Sequence, residues 1–135
     1  MKMEKLPLLI QNIREDSEVV LMNYSHEFWR DPFGGLRIRL PKEIAIVSDF
    51  IENLDEDEAD EYIEVLDHVV EGKYPSYELE YNAAAVFIEP KYTSAINYYI
   101  SPPNNQCKLE TSEFRRLLLL WRNKVMTEGR DIKVN

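Results

Sequence analysis

The side chains in this chain that could do chemistry are carboxylates, and they crowd into one stretch. From Asp49 to Glu71 there are eleven Asp and Glu residues and no Lys or Arg. Paired acids work as general acid and base where burial and a cleft drive their pKa values apart, whereas acids spread over the exposed face of a helix are solvated. Hard-cation binding is the other chemistry such a run suggests, and Asp55-Glu56-Asp57-Glu58 superficially offers the oxygens. A calcium loop of the EF-hand type needs alternating ligands, a central Gly and a terminal Glu, and here Ala59 to Leu66 has helical spacing instead.

The remaining reactive groups form no constellation. His26 and His68 stand far apart, and neither has a second His or Cys at metal-ligand spacing. Gly34-Gly35 lacks the Lys-Ser/Thr of a phosphate loop and the triple-glycine spacing of a dinucleotide turn. No serine sits in a Gly-x-Ser-x-Gly elbow, and Cys107, the single cysteine, has no base beside it in sequence; its expected role is a small half-buried residue. The sequence therefore predicts a protein that is not an enzyme, with no catalytic residue, no metal and no cofactor.

The charge distribution points to binding. Removing the 11 acids of this stretch from the 25 in the chain leaves 14 against 16 Lys and Arg, so the rest carries +2 while the whole carries −9. A single-signed surface focuses potential, speeds encounters with basic partners and repels nucleic acid and anionic membrane. A solubilising face would mix in Lys and Arg, and this one forgoes those helix salt bridges, which favours a Lys- and Arg-rich partner. The candidate binding residues are Asp57, Asp60, Glu61, Glu64, Asp67 and Glu71, on a helix whose opposite stripe is Ala59, Tyr62, Ile63, Leu66, Val69 and Val70. Like charges three or four apart cost an isolated helix about 0.2–0.5 kcal/mol per pair. Tyr62 and Tyr74 are candidate aromatic anchors, with Tyr62 better suited to the core.

The elements that must position these residues follow from periodicity and punctuation. Asp55 with Glu58 three residues on reads as a capping box, and Gly72 as the stop. Before it, Pro41 opens a helix with Ile44, Val47, Phe50, Ile51 and Leu54 on one face. Leu36 to Leu40 alternates as a half-buried strand, Ser25 to Gly35 reads as a loop, Glu18 to Tyr24 as a strand, and Leu6 to Arg14 as a helix in preference to an extended run. After Gly72, Tyr77–Tyr81, Ala84–Glu89 and Tyr92–Ile100 form an antiparallel meander, to which Gln106–Glu110 adds a fourth strand. Thr111 or Ser112 caps a last helix with Phe114, Leu117, Leu118, Trp121 and Val125 inward, and Thr127 to Asn135 reads as a frayed tail.

At 135 residues and 44% hydrophobic, the chain fits a single α+β domain, an antiparallel β-meander with the acidic helical hairpin and the C-terminal helix packed on one face. No apolar run approaches the roughly 20 residues needed to cross a bilayer, and the start lacks the apolar core of a signal peptide. With its lone cysteine this places the expected location in the cytoplasm. The oligomeric state is open, an edge at Tyr98-Tyr99 being free to pair with a second copy or to be covered.

The stretch from Asn82 through Asn-Ala-Ala-Ala-Val-Phe-Ile-Glu-Pro and Ile96 to Leu109-Glu110-Thr111-Ser112-Glu113-Phe114-Arg115-Arg116-Leu117-Leu118-Leu119-Leu120-Trp121 resembles small immunity proteins of bacterial polymorphic toxin systems, including contact-dependent growth inhibition. The shared pattern is an Asn, antiparallel strands and a closing helix of the form Thr-x-x-Phe-x-x-Leu-Leu-x-x-Trp. In this chain those residues are scaffold. The resemblance implies a cytoplasmic, non-enzymatic protein that binds and neutralises the C-terminal toxin domain of a cognate effector, many such toxins being basic nucleases. It implies no particular interface residues, and the acidic surface argues against direct contact with nucleic acid or membrane. A rival expectation is an adaptor whose acidic face binds another basic protein.

Overall fold

The computed structural model describes residues 23–131. The helix read at Leu6 to Arg14 and most of the strand read at Glu18 to Tyr24 lie outside the described residues; Asn23 and Tyr24 belong to no strand.

The segment Ser25 to Gly35, read as a loop, contains a strand. β1, Glu27–Arg30, pairs antiparallel with β2, Leu36–Arg39, matching Phe28 to Ile38 and Trp29 to Arg37. Asp31 builds the turn between them, its Oδ1 accepting the N–H groups of Phe33 and Gly35 at 2.9 Å each, the local bonding that makes Asp a turn residue. Gly34 supplies the positive φ of 87°. Phe28 packs toward Trp121, ring centroids 6.4 Å apart, whereas Trp29 and Phe33 stay exposed.

After Pro41 the chain makes a short 3-10 turn, Lys42–Ile44, before α1, Ala45–Ile51. The helix read as opening at Pro41 thus tightens in its first turn. α2, Glu56–Val70, begins with the capping box: the Asp55 carboxylate accepts the Glu58 N–H at 2.8 Å, and Glu58 returns the bond to the Asp55 N–H at 3.0 Å. Gly72 ends it at φ 86°. Ala59, Ile63, Leu66 and Val69 are buried as expected, but Val70 is 52% exposed. Glu71 to Ser76 are exposed as well, so the chain leaves the core directly after Val69.

The meander consists of β3 (Tyr77–Tyr81), β4 (Ala84–Ile88), β5 (Tyr92–Asn97) and β6 (Gln106–Glu110), hydrogen-bonded in that order and antiparallel throughout. Asn82 takes φ 57° in the tight β3–β4 turn. β5 stops at Asn97, short of the expected Ile100, because the Asn97 Oδ1 accepts the Tyr99 N–H at 2.9 Å and turns the chain. Tyr98 and Tyr99 therefore sit in a turn, not on a strand edge.

α3, Thr111–Glu128, follows β6 without a break. Neither Thr111 nor Ser112 caps it; Glu110 occupies that position, and no side chain caps the helix. The buried Thr111 hydroxyl instead donates to the Glu89 carbonyl at 2.6 Å and lies 2.9 Å from the Thr93 hydroxyl, tying the helix start to the sheet. The expected fraying at Thr127 is also overturned as far as the described residues go. The helix runs to Glu128, and Arg30 donates to the carbonyls of Glu128, Gly129 and Arg130, at 2.7–3.2 Å. Leu36 N–H bonds the Arg130 carbonyl at 2.7 Å, and Gly35 bridges Asp131.

The inward rows of the sheet, Leu79, Val86, Ile88, Thr93, Ala95 and Leu109, are buried under the helices. Trp121, Phe50, Phe114, Leu117, Leu118 and Leu66 are fully buried with them. Trp121 keeps its indole N–H bonded to the Leu54 carbonyl at 2.9 Å, which removes the cost of burying that donor.

Candidate protein-interaction surface

Folding sorts the acidic run into acids that are occupied and acids that are free to face a partner. Asp49 accepts the Asn97 side-chain amide at 2.9 Å. Glu52 lies under the hairpin, accepting the Ile38 N–H at 2.9 Å and Arg37 at 3.3 Å. Its carboxyl is pushed up by burial, which outweighs those bonds. Asp55 and Glu58 are used by the capping box.

On α2 itself the six candidate residues divide. Asp67 is held by Arg115 through Nε at 2.7 Å and Nη2 at 3.0 Å, and Asp60 by Arg122 Nε at 2.8 Å. Both arginines come from α3. The spacing matches, since 67 − 60 and 122 − 115 are each 7, which puts both pairs on two antiparallel helix faces two turns apart. The hydrogen bonds from Arg115 hold the Asp67 carboxyl below the usual aspartate range. Glu71 has Lys73 at 3.7 Å.

Asp57, Glu61 and Glu64 make no ion pair among the described residues, and all three are exposed. They sit at steps of four and three, which on a helix is one stripe. His68 and Glu71 continue it toward the C-terminal end. There Tyr74, 38% exposed, meets the His68 ring edge-on at 5.4 Å and the Tyr77 ring at 5.5 Å. Of the two expected anchors, only Tyr74 reaches the surface in this way. Tyr62 is half-buried against Phe50 at 5.8 Å, and burial, then Glu58 and Glu61, push its phenol up.

The pairing by α3 was missed because the basic residues lie outside the acidic segment. The signal that would have found it is the shared seven-residue spacing, Arg115 and Arg122 against Asp60 and Asp67. A second surface was also missed. On the outer side of the β1–β2 hairpin, Arg39 stacks over Trp29 at 5.3 Å, beside Arg37 and an 88% exposed Phe33. Trp and Arg are the residue types that anchor interfaces.

Reactive chemistry is thin among the described residues. No group of three or more His, Cys, Asp or Glu is placed to hold a metal ion. The half-buried Cys107 thiol is pushed up by burial, the opposite of what activates a nucleophile. No helix of the described residues is long and apolar enough to cross a membrane. The chain has no significant match among protein-family models, curated proteins or solved structures.

Proposed function

We propose that this protein is an immunity protein that binds a cognate toxin domain, a basic nuclease, and neutralises it by covering the surface that would bind nucleic acid. The observation that carries the reading is the exposed Asp57–Glu61–Glu64 stripe. A rigid helix presents these carboxylates at axial steps of about 4.5–6 Å, with no Lys or Arg on α2. Preorganised acids of one sign on a folded scaffold stand where phosphates would stand and accept Lys and Arg without reorganisation. Asp60 and Asp67 serve the scaffold, and through it the position of the stripe. Electrostatic steering of this kind raises association toward about 10⁸ M⁻¹s⁻¹ at low salt, useful where a toxin must be captured before it cuts.

The experiment is co-expression with the C-terminal domain of the protein encoded immediately upstream, scoring growth rescue and co-purification. Rescue with a stable complex is expected. Asp57→Lys, Glu61→Lys and Glu64→Lys together should then slow association at low salt at least about ten-fold while the circular dichroism spectrum is kept. A complex whose association ignores the triple change would refute this interface, and absence of both toxicity and complex would refute the immunity role.

A further inference from the structure

The four-stranded sheet ends at β3, and among the described residues no strand pairs with its far side. The neighbouring turn fixes which of its backbone groups point there. The Tyr98 N–H donates to the Ala83 carbonyl at 2.9 Å, so Ala83 and, by alternation, Ala85 and Phe87 direct their backbone bonds at β5. Ala84, Val86 and Ile88 direct theirs at β3, where they take Tyr81, Leu79 and Tyr77. The N–H and C=O groups of Glu78 and Glu80 are left on the outer edge, and no other backbone group among the described residues bonds them.

Both side chains are exposed. An open edge invites a second copy of the same strand. Here an antiparallel pairing of β3 with itself, whether centred on Glu78, Leu79 or Glu80, sets acid directly against acid, which destabilises a sheet. No Lys or Arg stands between Tyr74 and Pro90 to offset these charges. The edge therefore turns away its own kind and fits an extended strand with Lys or Arg at alternate positions, opposite Glu78 and Glu80. It also continues the acidic surface of α2, which packs against β3. The Tyr74 ring meets His68 at 5.4 Å and Tyr77 at 5.5 Å, so a row of rings joins the C-terminal end of the stripe to the first residue of the strand.

We infer that the outer edge of β3 takes up an extended, Lys- or Arg-bearing strand of the toxin domain, which becomes a fifth strand of the sheet; the inference rests on the immunity reading and names how that partner is held. Backbone bonds to Glu78 and Glu80 supply the hold, and the two carboxylates choose the register by the bases set opposite them. The α2 stripe draws the basic partner in, and the strand edge fixes its orientation.

Residue-resolved amide exchange on the protein, alone and with the C-terminal domain encoded immediately upstream, reads the edge directly. Alone, the Glu78 and Glu80 amides should exchange at least about ten-fold faster than those of Leu79 and Tyr81, and in the complex both should slow at least about ten-fold. Glu80→Pro removes one N–H from the edge, where proline is tolerated because that group faces solvent. It should weaken the complex at least about ten-fold with the circular dichroism spectrum kept, whereas Glu80→Gln keeps the N–H and should lose no more than about five-fold. A complex that leaves both amides exchanging as before overturns the inference and keeps the immunity reading, as does one that ignores a folded Glu80→Pro. Absence of any complex overturns the reading and the inference together.

Discussion

Arg115 and Asp67, 48 residues apart in sequence, meet as a fork of two hydrogen bonds of 2.7 and 3.0 Å that clamps α3 to α2. Both side chains remain more than a third exposed, so solvent screens the pair. Arg115→Ala should cost about 0.5–1 kcal/mol and lower the melting midpoint by roughly 2–4 °C. Because the hydrogen bonds of Arg115 depress the Asp67 pKa in the folded state, the stabilisation is complete above the ordinary aspartate range. It is lost as pH falls through the folded-state value. Melts of the parent and the variant should therefore converge on acidification below about pH 4.

Glu52 ties the end of α1 to β2 through its carboxylate, which accepts the Ile38 N–H and Arg37. Replacing it by Ala strands the buried Ile38 N–H and should cost about 1–3 kcal/mol in urea denaturation, whereas Gln keeps an acceptor and should recover more than half. Burial raises the Glu52 pKa above its unfolded value, so its charged form weighs against folding as pH rises through the raised value. Glu52→Gln should flatten the fall in stability as pH rises above the ordinary glutamate range.

The Thr93 and Thr111 hydroxyls lie 2.9 Å apart with both residues fully buried. Thr111→Val leaves the Thr93 hydroxyl and the Glu89 carbonyl without their partner and should cost about 1–3 kcal/mol. Thr93→Val with Thr111→Val should cost less than the sum of the two single changes, by at least about 0.5 kcal/mol. A double-mutant cycle by chemical denaturation measures that coupling; strict additivity would show that the two hydroxyls do not interact.

Trp121→Phe removes the indole bond to the buried Leu54 carbonyl and part of the ring that fills the centre of the core. A loss of about 2–4 kcal/mol is expected, with the denaturant slope unchanged. The same chain carries the second tryptophan at the exposed Trp29, so fluorescence of the variant isolates the hairpin while circular dichroism follows the helices.

What was legible in the sequence was what a few neighbouring residues decide. Asp55 with Glu58, Gly72, the turn at Asn82 and the strands of the meander all carry their signal within one turn or one alternation. β1 was not legible, because Pro32 and the paired glycines advertise a loop while the pairing of Phe28 with Ile38 is a tertiary fact. The same holds for Thr111, whose hydroxyl finds the sheet in preference to the helix N-terminus. The six-residue acidic site was read as one face, yet Asp60 and Asp67 lie on the flank that α3 neutralises. A helix has more than one polar side, and only the neighbouring element determines which side remains open.

Arg30 reaches the end of α3 across 99 residues in its bond to Gly129. Contacts of that separation carry a higher loop-closure cost than the hairpins of the meander, so they are expected to close late in folding. The guanidinium therefore works as a latch set after the transition state: Arg30→Ala should leave the refolding rate nearly unchanged and quicken unfolding. What that side chain should set is the lifetime of the native molecule, more than the speed at which it is reached.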